Sequence, residues 1–100
     1  METTLNQEAI LAMLAGRLKQ LTASIGKAKS EDELAEIAEN ISAAGKAAHD
    51  SIERACEEGS LSNYKAAMSL RALGDALEGT ALLLLLRGMQ LKTEEEESNE

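Results

Sequence analysis

The chain has 100 residues, 44% of them hydrophobic, with no Pro, Phe or Trp, one Tyr and a formal charge of −8. That length holds at most one small domain, and sparse β-branched and aromatic content without Pro favours helices over strands. Scattered basic residues and the lack of an aromatic stacking platform exclude direct nucleic-acid binding.

Five of the negative charges belong to Glu94, Glu95, Glu96, Glu97 and Glu100, so residues 1–93 carry only −3. The body is too weakly charged to imitate nucleic acid across its whole surface. The longest apolar run, Ala81 to Leu86, is far short of the roughly 20 residues of a membrane span, so no membrane partner is expected. Met1-Glu2-Thr3-Thr4 is acidic and polar, unlike a secretory signal. A single cysteine, Cys56, allows no internal disulfide and fits a reducing compartment. A cytoplasmic location is the expectation.

The first helix is expected over about residues 5–26. Thr4 and Gln7 have capping-box spacing, and Leu11, Leu14, Leu18, Leu21 and Ile25 repeat at three and four residues to make one apolar stripe. Gly26 follows as a left-handed C-terminal cap. The second helix, about 31–58, begins at Ser30-Glu31-Asp32-Glu33, a full capping box with acids where the helix dipole favours them. Its inward stripe reads Leu34, Ile37, Ala38, Ile41, Ala44, Gly45, Ala48, Ile52 and Ala55. The small residues in its middle place the closest approach of a neighbour near Gly45. Gly59 ends this helix, and Ser60 or Ser62 caps the next.

The third helix, about 61–92, is the longest and carries two apolar stripes at 100° per residue. One is Leu70, Leu73, Leu77, Ala81, Leu84, Gly88 and Leu91. The other, nearly opposite, is Leu61, Tyr64, Met68, Ala72, Leu82, Leu86 and Met89, interrupted at Asp75 and Gly79. A helix with two apolar faces needs cover on both sides. Beyond Thr93 the acidic run opposes the helix dipole, so residues 94–100 are expected as a disordered tail and residues 1–93 as the domain.

Short connections make neighbouring helices antiparallel. The expected fold is therefore all-α, an antiparallel three-helix bundle or hairpin array with a long third helix. A core of Leu, Ile, Met and Ala is thin for so small a chain, and homodimerisation is expected to complete it. The interface residues expected are Leu61, Met68, Ala72, Gly79, Leu82, Leu86 and Met89. An acid at Asp75 argues against a two-fold axis there and for one nearer Leu82–Met89.

Sites for chemistry are few. His49, Glu53 and Cys56 lie at i, i+4 and i+7, but His49 and Cys56 are about 10.5 Å apart along the axis and cannot share one ion. Glu53, Glu57 and Glu58 surround Cys56 with negative charge, the opposite of what activates a thiol. No glycine loop suits a phosphate. Ala12 with Gly16, Ala43 with Ala47 and Ala72 with Ala76 are small pairs that permit close helix contact, within the chain or between chains. No catalytic residue, metal or cofactor is expected.

The function expected is that of a non-enzymatic protein–protein interaction module, which regulates or inhibits a larger partner by occluding its surface. Phage-encoded inhibitors of host nucleic-acid machinery, such as those of CRISPR effector complexes, exemplify that class. The acids of Glu31–Glu39 would then compete for a basic groove. The alternatives are a structural or secretion-chaperone-like bundle and a metal- or haem-binding bundle using His49.

Overall fold

A computed structural model describes the backbone of residues 2–98 and the side chains of residues 9–97. It is all-helical: α1 (Glu2–Ile25), α2 (Glu31–Glu57) and α3 (Asn63–Ser98) follow one another without a strand among the described residues. The turns are short, so the helices run up, down and up. α2 lies between its neighbours and packs on both, while α1 and α3 touch each other little. The molecule is long and flat, 61 × 22 × 15 Å, with a radius of gyration of 16.7 Å against about 13 Å for a compact chain of this length.

α2 begins as its sequence dictates. The Ser30 hydroxyl accepts from the Glu33 N–H at 3.1 Å, and the Glu33 carboxylate accepts from the Lys29 N–H at 2.7 Å. Its inward stripe is buried at Ile41, Ala44, Gly45, Ala48, Ile52 and Ala55, joined by Ser51. Leu34, Ile37 and Ala38 are half-buried. Gly45 leaves room for the Leu77 side chain, whose methyls lie 3.1 Å from where a Cβ would stand. The end of α2 is a Schellman motif: Gly59 at φ 81°, Ser60 N–H to the Ala55 carbonyl, and Gly59 N–H to the Cys56 carbonyl.

Four expectations are corrected at helix ends. α1 is helical from Glu2, so Thr4 lies inside it rather than capping it. The Thr4 and Gln7 side chains fall outside the described residues. Gly26 is not left-handed; Gly59 is the one glycine with positive φ among the described residues. Instead the Lys27 and Ala28 N–H groups bond back to the Ser24 and Ile25 carbonyls, a tighter turn that ends α1 without a left-handed residue.

α3 starts at Asn63, two residues later than the expected Leu61, because Ser62 rather than Ser60 caps it: its hydroxyl accepts from the Lys65 N–H. The Ser60 hydroxyl donates to the Ala55 carbonyl. α3 also runs past the expected end near Thr93 to Ser98. Glutamate is a good helix former with no breaker in the run, and Arg87 lies 3.7 Å from Glu94 one face along. Residues 99 and 100 of the expected tail lie outside the described residues.

The core gathers Leu21 and Ile25 of α1 with Ile41 and Ala44 of α2. Leu18, Leu34, Ile37, Leu77 and Leu84 pack around them. Burial along the α1 stripe therefore rises toward its C-terminus, from half-buried Leu11 to buried Ile25. The inner line of α3 passes through buried Ala66, Thr80 and Leu91, whereas the expected Ala81 is exposed. One residue's rotation, 100°, separates Thr80 from Ala81, and the Thr80 hydroxyl meets that of Thr22 across the α1–α3 gap at 3.2 Å.

Candidate interaction surface

Turning the inner line of α3 onto α2 necessarily turns its other stripe outward. Leu82, Leu86 and Met89 are 58%, 54% and 59% exposed, and Met68 is 49% exposed. Ala72 and Gly79 are exposed, while Leu61, in the α2–α3 turn, is half-buried. The structure thus brings six of the seven expected interface residues onto one outward face and leaves Leu61 at its edge.

The apolar face is wider than its periodicity predicts. Leu83 and Leu85 are also exposed, at 45% and 61%. The signal was present in the five consecutive leucines 82–86: at 100° per residue such a run circles the helix, so some members must face away from any single neighbour. Ile10 and Met13 on α1 are exposed as well.

Beside this face lies an apolar groove of about 860 Å³ between α1 and α3, floored by Ala48 and Ile52 of α2. Leu11, Ala15 and Leu18 form one wall, and Ala72, Ala76, Gly79 and Leu83 the other. The groove and the outward stripe share Ala72 and Gly79, so they make one continuous apolar surface. The volume suits a small molecule, but such a site needs convergent polar groups. Here the Thr22 and Thr80 hydroxyls are engaged with each other, and Lys19 and Ser69 are the other polar residues of the lining.

The small pairs behave differently from close-packing motifs. Ala12, Gly16, Ala43, Ala47, Ala72 and Ala76 are all exposed, so none brings two helices of this protomer together. A Cβ added at Gly16, Gly74 or Gly79 would meet nothing within 4 Å.

Arg87 has a role its sequence position did not disclose. Its Nε and Nη2 both donate to the Ala28 carbonyl, at 3.1 and 2.6 Å, and its Nη1 donates to Gln90. The guanidinium therefore clamps the α1–α2 turn onto α3 and satisfies a carbonyl left free where α1 ends.

The His49 Nδ1 lies 3.5 Å from Glu53 and 3.8 Å from Asp50, all three exposed. They can offer three ligand atoms within 4.8 Å of one another, but all come from one solvated helix face. Cys56 has turned away and donates its thiol to the Asn63 amide oxygen at 3.1 Å. That acceptor is not a base, so the pair does not resemble an activated nucleophile. Glu31, Asp32, Glu33, Glu36 and Glu39 are exposed at the start of α2. Glu31 and Asp32 face Glu94 and Glu95 of α3 across a polar hollow of about 480 Å³. No described helix is long and apolar enough to cross a membrane. No protein-family model, curated protein or solved structure matches the chain.

Proposed function

We propose that the protein is a non-enzymatic interaction module whose outward α3 face is its protein contact, first with a second copy of itself. In this reading the assembled protein regulates or inhibits a larger partner by covering part of its surface. The acidic start of α2 then meets a basic groove such as those of nucleic-acid-handling complexes. One observation carries the reading: among the described residues, seven of the nine large exposed apolar side chains lie on α3, from Tyr64 to Met89. Exposed apolar surface gathered in this way marks contact sites in small proteins.

The surface area agrees. The protomer exposes 7157 Å², whereas a compact monomer of 10.6 kDa exposes about 5,500 Å². The unpacked ends of α1 and α3 contribute to the excess, which still has room for the ~800 Å² that each partner contributes to a standard interface.

Affinity capture from the native host with wild type and Leu86→Glu tests the reading. A protein held by wild type, lost with the variant and impaired in activity on adding the wild type supports it. Equal capture by both forms would contradict a role for the α3 face. The groove between α1 and α3 favours a second reading, a chaperone-like bundle that shelters an apolar helix of its client. In that case the captured protein stays active and is kept from aggregating.

A further inference from the structure

We infer that the α3 helices of two copies pair antiparallel, about a two-fold axis at Leu84, as a short coiled coil. The inference rests on the homodimer reading above and specifies its geometry. Along the outward face, Met68, Ala72, Asp75, Gly79, Leu82, Leu86, Met89 and Thr93 alternate in steps of four and three, the seam spacing of a coiled coil. Half of that seam is large and apolar, and half is small or polar. A parallel, in-register pair would therefore stack Asp75 on Asp75 and Gly79 on Gly79, leaving like charges and a void.

Reversing one helix about Leu84 complements the three layers nearest the axis, and beyond them Ala72 falls opposite the partner's Glu96. Leu82 meets the partner's Leu86, and Gly79 meets the partner's Met89. Asp75 meets the partner's Thr93, whose hydroxyl now donates to the Met89 carbonyl and can rotate onto the carboxylate. On one flank Leu85 adjoins the partner's Leu85, and Glu78 falls opposite the partner's Lys92. Asp75, Glu78 and Lys92 have no ion-pair partner within the protomer among the described residues. The pairing also gives a use to Gly79, which crowds against nothing in the protomer and costs helix stability there. One interruption of the stripe, Gly79, thus becomes the complement of its strong end, and the other, Asp75, gains a hydroxyl partner.

Orientation is measured with a spin label at Ala67→Cys in a Cys56→Ser background. Labels in the antiparallel pair are about 50 Å apart, from 1.5 Å rise per residue; a parallel pair brings them within about 20 Å. A dimeric mass with the short distance overturns the antiparallel register while the homodimer reading stands. A monomeric mass overturns both.

Substitutions test the layers. Gly79→Leu has room in the protomer and is expected to keep full helicity yet weaken the dimer at least roughly ten-fold; an equal or tighter dimer contradicts the Gly79–Met89 layer. Glu78→Lys and Lys92→Glu are each expected to weaken it roughly three- to five-fold, and their combination to restore it. A double variant no tighter than the single ones removes this register.

Discussion

Helix α2 buries seven of its 27 residues, all along one line, and turns its charges outward. Helix α3 is longer, at 36 residues, yet among the described residues only its Ala66, Thr80 and Leu91 are buried, and it carries most of the large apolar side chains left in water. Composition already separates them, since α2 has one Leu and α3 has nine, but it does not say where those leucines point. Periodicity does. One stripe is satisfied by two neighbours in the same chain, whereas of two opposed stripes one is left facing solvent. The contrast shows that the protomer folds around α2 and presents α3.

The largest effect expected from this contrast is at Ile52, which is buried on α2 and also floors the groove. Ile52→Ala should cost about 2–4 kcal/mol in urea unfolding, whereas Leu86→Glu should leave helical content unchanged. A comparable loss of fold from Leu86→Glu would erase the distinction between the two helices. Next is the clamp between the α1–α2 turn and α3. Arg87→Ala removes the hydrogen bonds to the Ala28 carbonyl and should cost about 1–3 kcal/mol, read as a lower urea midpoint. Ser30→Ala removes the α2 cap and should cost about 1 kcal/mol. The smallest change is a gain: Gly74 is exposed and a Cβ there is unopposed. Gly74→Ala should therefore stabilise by up to about 1 kcal/mol.

Much of α2 was legible because its signals are local. The Ser30 cap, the inward line from Leu34 to Ala55 and the Gly59 stop each depend on residues within a turn or two. The ends of α1 and α3 were less legible because tertiary contacts decide them. Gly26 offered a left-handed cap, but the turn closes by shorter hydrogen bonds and Arg87, 59 residues away along the chain, takes the Ala28 carbonyl. α3 continued past Thr93 because nothing in the acidic run breaks a helix. The outward stripe was readable as a stripe. Its extension through Leu83 into the α1–α3 groove was not, because the divergence of α1 from α3 is a property of the packing. Ala81 and Thr80 show the same limit: periodicity gives a face to within about one residue, and neighbours choose between adjacent positions.

The outward α3 face, as proposed, is a protein contact occupied first by a second copy. Light scattering after gel filtration, on wild type and Leu86→Glu side by side, tests it most directly. Wild type should show twice the 10.6 kDa of the chain and the variant the monomer mass with unchanged helicity. A monomeric wild type, or a variant that stays dimeric, would contradict the claim.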